Sequence, residues 1–238
     1  MNLRRAALAF VSLGLFACGA AVEKAPDDPV TDASSRDRGD RGPGISMESE
    51  VGALNEAAVT TAFQKSADGM LQCLKKASNR LPYISGVAGV YVRVGESGVK
   101  YAYMKRSSLG DRDTEQCMLD IIRKQSWPAP VGGKEGFAEN EFTFDPPDRV
   151  RMPVSWSEGD AGKTVEDAKK VLARCKAKSA SGRLTATLYV ETDGSVLAAG
   201  VSGEQPGTEQ AASCVVDGLK AIKLGSPGSF AAKLTLTD

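Results

Sequence analysis

The sequence predicts an α+β fold of two tandem small domains, each with two helices packed on a three-stranded antiparallel sheet. Hydrophobic residues change from helical to strand spacing in the same order twice along the chain. A glycine-containing turn and two helical cysteines occur at corresponding places in both copies. The order in each copy is helix, hairpin, helix and strand. We place the first domain at 49–148, a linker at 149–162 and the second domain at 163–238.

A helical pattern opens the first copy and ends at Pro82, because proline cannot continue a helix. Its apolar residues recur at the spacing of one helix face. They are Val59, Phe63, Met70, Cys73, Leu74 and Ala77. A hairpin follows, with strands over 87–94 and 99–104 joined by a turn that ends at Gly98.

The spacing of Asp113 and Gln116 matches a capping box and predicts the start of the second helix. The inward-facing residues of this helix are Cys117, Met118, Ile121 and Ile122. The segment Trp127-Pro128-Ala129-Pro130 ends the helix. A last strand with alternating aromatic residues is predicted over 139–144.

The second copy follows the same order. Its first helix face is formed by Val165, Ala168, Leu172 and Cys175. Asp193-Gly194 is a strong hairpin turn between strands over 184–192 and 196–201. Thr208 is the predicted cap of a helix that carries Cys214, Val215, Leu219 and Ile222, and a closing strand is predicted over 230–236. The distance from the turn glycine to the second cysteine differs by only one residue between the copies.

The chain has five cysteines, and four of them fall on the predicted helices, two in each copy. Four cysteines allow three pairings. Only Cys73 with Cys117 and Cys175 with Cys214 treats both copies alike. Small domains in an oxidising compartment gain stability from such bridges. The alternative is a redox pair, but no Cys-x-x-Cys motif occurs and the cysteines lie on apolar faces.

Residues 1–18 have the pattern of a signal peptide, with two arginines before an apolar stretch too short to span a membrane. The stretch ends in Leu15-Phe16-Ala17-Cys18, which resembles the lipobox of bacterial lipoproteins. The resemblance implies that Cys18 is lipidated and becomes the amino terminus. Gly19 follows it, and the sorting rule of enteric bacteria then places the protein in the outer membrane. The alternative is an ordinary secretory signal.

The segment 19–48 is rich in Pro, Asp, Ser, Gly and Arg and has no apolar period. Such a composition predicts a disordered tether, because it buries too little apolar surface to order the chain. A flexible coil of this length spans roughly 30 Å. We therefore expect the tether to hold the folded part away from the lipid.

The composition excludes several kinds of chemistry. Basic and acidic residues number 30 each, so no net charge favours nucleic acid, and the chain has no histidine. No nucleophile elbow, P-loop or dinucleotide fingerprint occurs, and no acidic cluster has metal-ligand spacing. We predict no catalytic residue, no cofactor and no metal site.

Three tyrosines on the first hairpin are the candidate partner-binding residues. Tyr91, Tyr101 and Tyr103 alternate with apolar residues, so they share one sheet face. An exposed aromatic stripe would form a contact surface. A half-buried sheet face explains the same residues equally well.

The first copy resembles a family through residues in both helices, the hairpin and the last strand. These are Cys73, Gly98, Ser107-Ser108, Cys117, Trp127-Pro128-Ala129-Pro130 and Phe142-Thr143-Phe144. Over about 49–146 they resemble the TonB-type carboxyl-terminal domain of myxobacterial gliding-motility proteins such as AgmX and PglI. The second copy keeps the two cysteines, the turn glycine and the final strand, but it lacks the Ser-Ser and has Ser226-Pro227 in place of the proline motif. The resemblance implies two helices on a small antiparallel sheet, and partner binding by strand addition at a sheet edge.

Two functional hypotheses follow. The first is a non-enzymatic, lipid-anchored scaffold or adaptor that faces the periplasm and binds another envelope protein, in gliding motility or related machinery. The second is a ligand-binding or cell-wall-acting lipoprotein. A cleft between the copies with clustered carboxylates would favour the second hypothesis, and two closed cores would oppose it.

Overall fold

The computed structural model describes residues 51–238, which lie within one compact unit. The α+β fold class is confirmed, with five helices and two sheets among the described residues. The predicted signal peptide, Cys18 and the tether at 19–48 lie outside the described residues.

The first half of this unit, defined here as 51–148, contains two helices and one sheet. Its elements are α1 (Glu56–Ser78), β1 (Gly86–Gly95), β2 (Gly98–Ser107), α2 (Arg112–Arg123) and β3 (Glu135–Phe144). The strand order is β2-β1-β3, and both pairings are antiparallel. The predicted order of helix, hairpin, helix and strand is therefore present.

The second half, defined as 149–238, repeats this order after two short additional elements. Its elements are β4 (Val154–Trp156), α3 (Glu158–Ala161), α4 (Thr164–Lys176), β5 (Leu184–Val190), β6 (Val196–Gly203), α5 (Thr208–Lys220) and β7 (Ala232–Thr237). The strand order is β4-β7-β5-β6, with β4 parallel to β7. The prediction of a three-stranded antiparallel sheet is wrong here, because the sheet is mixed and has four strands.

The additional strand comes from the predicted linker at 149–162, which contains both β4 and α3. The first half has a shorter version of the same feature. Val51 forms a parallel bridge with Glu135, and the Gly52 amide donates to the Glu135 carbonyl at 2.6 Å. In both halves, therefore, the segment before the first long helix lies beside the start of the last strand.

The two predicted disulfides are present. Cys73 of α1 is bonded to Cys117 of α2, and Cys175 of α4 is bonded to Cys214 of α5. Each bridge joins the two long helices of one half. The loops that they close span 44 and 39 residues, so the two bridges constrain the unfolded chain to a similar degree.

A close helix contact lies one turn from each disulfide. A Cβ atom on Gly69 would lie 2.9 Å from Ile121, and a Cβ atom on Gly218 would lie 2.5 Å from Val171. Both contacts pair one glycine with one β-branched residue. The glycine lies on α1 in the first half and on α5 in the second half. The glycine and the β-branched residue have therefore exchanged helices between the two halves.

The helix caps differ from the predicted ones. The N-cap of α2 is Asp111, whose carboxylate accepts from the Thr114 amide at 3.1 Å, so the prediction that Asp113 caps this helix is wrong. Arg80 donates to both oxygens of Asp111, at 2.7 and 2.8 Å. Asp111 therefore ties the end of α1 to the start of α2. Helix α5 begins after Gly207, without a side-chain cap.

Each half has its own hydrophobic core between its helices and its sheet. A third, smaller cluster includes residues of both halves. Its buried members are Ala77, Leu81, Ile84, Tyr189 and Ala198. This shared cluster explains why the two halves form one compact unit.

Candidate partner-binding surface

The three predicted tyrosines lie together on the face of the first sheet that points away from its helices. Tyr91 is stacked on Tyr101, Tyr103 and Phe137, with ring centroids 6.2, 5.0 and 6.0 Å apart. This alternation arises because Val90 and the other even-numbered neighbours in β1 enter the core. We call Tyr91, Tyr101, Tyr103 and Phe137 the aromatic face.

The aromatic face is exposed on the β3 side and closed on the β2 side. Phe137 on β3 is 52% exposed, whereas Tyr103 on β2 is 3% exposed. The Tyr103 hydroxyl donates to the Glu204 carbonyl of the second half at 3.1 Å. Burial raises the pKa of Tyr103 to about 12, so this hydroxyl stays protonated well above neutral pH. A partner therefore has access to Tyr91, Tyr101 and Phe137 rather than to Tyr103.

Ion pairs run across the same face. Gly89 of β1 lies between Arg106 and Glu141 in register, and because it has no side chain these two charged groups meet over it. The pKa of Glu135 is lowered by its hydrogen bonds from Lys100 and Arg93. The ion pairs on this face are Arg93–Glu135, Lys100–Glu135, Lys105–Glu139 and Arg106–Glu141.

Strand β3 is the open edge of the first sheet. Within residues 51–238 it pairs with β1 on one side, and on the other side it is bridged only at Glu135. The Glu135 carbonyl points away from β1, since it accepts from Gly52. The direction of the backbone amide and carbonyl groups alternates along an antiparallel strand. In every second residue after Glu135, therefore, these backbone groups also point away from β1. These residues are Phe137, Glu139, Glu141 and Thr143.

A groove runs between this open edge and α1. It consists of two hollows of about 510 and 700 Å³, which adjoin successive parts of β3. We call it the edge groove. Most of its apolar side chains come from α1 and from the inner face of β3, and these are Val59, Phe63, Ala67, Leu71, Leu74, Phe142 and Phe144. Leu71 is 50% exposed, so the groove presents apolar surface to solvent.

The corresponding face of the second sheet is covered by the first half. Tyr189 of β5 is fully buried, and its ring lies 5.1 Å from Tyr83 and 5.2 Å from the Lys233 ammonium. Lys233 donates to the Ser85 carbonyl at 2.9 Å. Burial lowers the pKa of Lys233 to about 8. This face has no free aromatic surface to offer a partner.

A buried carboxyl group lies at the contact between the halves. Glu115 of α2 accepts from the Ser107 hydroxyl at 2.6 Å and from the Val201 amide of β6 at 2.9 Å. Burial raises the pKa of Glu115 to about 7, against the opposing effect of these hydrogen bonds and of Arg112. A Cβ atom on Gly200 would overlap the Glu115 carboxyl, so glycine is required for this approach.

Helices α2 and α5 are also joined by an ion pair. Arg112 donates to Glu209 at 2.9 and 3.2 Å, and the two residues lie five positions before the second cysteine of their respective halves. The pair is largely buried. Corresponding positions of the two halves therefore meet at the contact. One sequence signal for this contact was not used in the prediction: the small residues Ala198, Ala199 and Gly200 are typical of a strand buried on both faces.

Among the described residues no group of three metal-ligating side chains could hold a metal ion. None of the helices in the described part of the chain is both long and apolar enough to cross a membrane. No protein-family model matches the chain, and neither a curated protein nor a solved structure matches it.

Proposed function

We propose that this chain is a lipid-anchored, non-enzymatic adaptor of the bacterial cell envelope that binds a protein partner by strand addition at β3. The observation that carries the proposal is the open edge of β3 beside the edge groove. Unpaired backbone groups supply hydrogen bonds to an added strand, and adjacent pockets select its side chains.

We further propose that a lipid anchor and a tether position the folded part of the chain. Lipidation at Cys18 would fix it to the outer membrane, and the tether at 19–48 would give the folded part reach into the periplasm. The two halves would be copies of one TonB-like domain, of which the first binds and the second supports it. The process would be gliding motility or related envelope machinery, as the family resemblance implies.

The proposal assigns binding to the first half for a physical reason. A stable added strand needs an accessible edge, and an exposed edge that has no partner invites non-specific association. In the second half, β4 covers the start of β7 and β6 contacts the first half. The outer face of β3 carries charged residues, which are one of the features that restrain non-specific pairing.

The test is site-specific crosslinking in detergent-solubilised envelopes. A photo-crosslinking residue replaces Thr60, which lines the edge groove, and in a matched control it replaces the exposed Asp217 of α5. We expect one envelope protein to be recovered with the Thr60 probe and not with the Asp217 probe, as identified by mass spectrometry. Equal recovery with both probes, or no protein with either, would contradict the adaptor proposal.

A specific observation favours a second candidate, the ligand-binding or cell-wall-acting lipoprotein. The rings of Tyr91 and Phe137 are nearly parallel, at 6°, and they lie near a hollow of about 620 Å³ whose charged lining includes Lys105, Arg106 and Glu139. A flat aromatic surface beside charged groups suits a polar ring compound. Recovery of cell-wall fragments, without protein, by the immobilised full chain would support this candidate over the adaptor.

A further inference from the structure

We infer that the segment bound at β3 is an extended basic strand of about eight residues, with apolar side chains at alternate positions facing α1. This inference rests on the proposed function, since it names the chemistry of the partner at the same site. Three observations carry it: the limits of the open edge, the apolar lining of the edge groove and the sign of the charges around it.

The limits of the edge define the length of the added strand. The bridge between Val51 and Glu135 closes the edge at its start. At the other end, Pro146 and Pro147 follow Asp145 and have no amide to continue a ladder. The open stretch is therefore 137–144, which corresponds to about 26 Å of extended chain.

The lining of the edge groove defines one face of the added strand. Side chains of a strand alternate, so every second residue of the partner would point to the same side as Phe142 and Phe144. On that side lie Ala67, Leu71 and Leu74 of α1. Apolar partner residues there would cover the exposed side chain of Leu71.

The charges around the edge groove are unbalanced, although the whole chain has equal numbers of basic and acidic residues. The carboxylates that line its hollows are those of Glu56, Asp68, Glu139 and Asp145, and the one ammonium group is that of Lys75. Glu139 is already paired with Lys105, whereas Glu56, Asp68 and Asp145 form no ion pair within residues 51–238. Basic residues of an added strand would be attracted to these three carboxylates. Cross-strand pairs of opposite charge stabilise a sheet, and like charges destabilise it.

The same charges argue against a second copy of this chain as the partner. Pairing of β3 with β3 would bring together two edge grooves, each with the carboxylates of Glu56, Asp68 and Asp145. That arrangement brings like charges close together, which opposes self-association. A different, basic segment is the occupant that the charges favour.

The experiment measures binding of fluorescent peptides to the full chain in detergent, by fluorescence anisotropy. The basic probe is a ten-residue peptide that alternates valine or leucine with lysine. The acidic probe has glutamate in place of each lysine, and a third probe carries N-methyl groups on alternate amides. We expect the basic probe to bind at least tenfold more tightly than either of the others.

Two variants locate the binding site. Thr143→Pro removes an outward-facing amide that β1 does not use, and an edge strand tolerates proline at such a position. Thr143→Pro should lower the affinity for the basic probe at least tenfold. Thr143→Ala, which keeps the amide, should bind the probe nearly as tightly as the parent chain does. The double change Asp68→Lys and Asp145→Lys should lower the affinity for the basic probe at least threefold. Asp217→Lys, with the same kind of charge change on α5, should leave this affinity unchanged.

The results separate this inference from the proposed function. Equal binding of the basic and acidic probes, or insensitivity to Thr143→Pro in a variant with unchanged thermal stability, would overturn the inference. Crosslinking of an envelope protein at Thr60 would then still uphold the adaptor function. A crosslinked dimer of the chain at Thr60 would overturn the inference in favour of a second copy.

Discussion

In the first half, Tyr91 lies between Val90 and Val92 and is half-buried on an open sheet face. In the second half, Tyr189 lies between the core residues Leu188 and Val190, and its ring is fully buried. Strand order and alternation are alike at the two places. The difference in exposure therefore comes from what covers each sheet, and it leaves Tyr91 and Phe137 of the first sheet accessible.

The side chains of the neighbouring strands explain why only one face is covered. Strand β2 places Tyr101, Tyr103 and Lys105 on its outer face, whereas β6 places small residues such as Ala198 and Gly200 there. Small side chains let another backbone approach closely. The first half uses this space, and its loop at Gly110 approaches so closely that a Cβ atom there would lie 3.0 Å from the Tyr189 ring.

The buried carboxyl group shows the same division of roles. Glu115 lies two positions before Cys117, and the residue two positions before Cys214 is Ala212. Ala212 packs in the hydrophobic core of the second half. Glu115 is not part of a hydrophobic core, and its carboxyl group accepts a hydrogen bond from the backbone of β6. The first half therefore carries the polar group that fixes the contact between the halves.

The largest expected effect separates the two tyrosines. Tyr189→Ala should lower the free energy of unfolding by about 3–5 kcal/mol, because it leaves a cavity at the contact between the halves. Tyr91→Ala should lower it by less than about 1 kcal/mol, because its ring is partly solvated. Urea denaturation of the full chain with intact disulfides measures both values. Similar losses would show that the two faces are equally covered.

The next effect tests whether the halves are stabilised alike. Replacing Cys73 and Cys117 by alanine, or Cys175 and Cys214 by alanine, should each lower the free energy of unfolding by about 4 kcal/mol, since the loops are of similar length. Thermal unfolding of the two double variants measures this, with a single Cys→Ser variant of each pair as a control. Membrane attachment should persist in both double variants. If attachment fails instead, Cys18 is not the anchor.

The smallest expected effect is a change in the free energy of unfolding with pH, caused by Glu115 at the contact between the halves. The pKa of Glu115 is raised by burial from 4.5 to about 7 in the folded chain. Its stabilising contribution is fully present below pH 4.5 and is lost as the pH rises to 7, because over this range the unfolded chain releases the proton first. The loss is on the order of 3 kcal/mol.

The variant Glu115→Gln has no such proton, so the difference in unfolding free energy between parent and variant should change between pH 4.5 and 7. The nearby charges of Asp111 and Arg112 remain in both chains and act as an internal control. Urea denaturation at a series of pH values measures the difference. A constant difference over this range would show that Glu115 is solvated and that the contact between the halves is looser than the structure describes.

Much of the fold could be predicted from the sequence because local patterns decide it. The apolar face of α1 around Met70 and Cys73, and the turn at Gly194, follow from periodicity and turn chemistry. The pairing of the four cysteines followed from the repeated order. The prediction failed at the predicted linker, because three residues of β4 are too few to show a strand period.

The candidate site could be predicted only in part. Alternation placed Tyr91, Tyr101 and Tyr103 on one face, but it gave no means of telling which of them solvent reaches. Tyr103 is closed off by Glu204, which lies about a hundred residues later in the chain. The edge groove likewise depends on where α1 packs beside β3, and that position is fixed by contacts distant in sequence.

The sequence by itself determined the α+β class, the order of helices and strands in each half and the two disulfides, because each depends on spacing along the chain. Only the tertiary structure decided that the second sheet is covered and that, within residues 51–238, the edge of β3 stays open. The physical reason is that exposure depends on which surfaces fit each other in space. At this contact Gly200 has no side chain, so the Glu115 carboxyl group can approach β6 and accept a hydrogen bond from the Val201 amide.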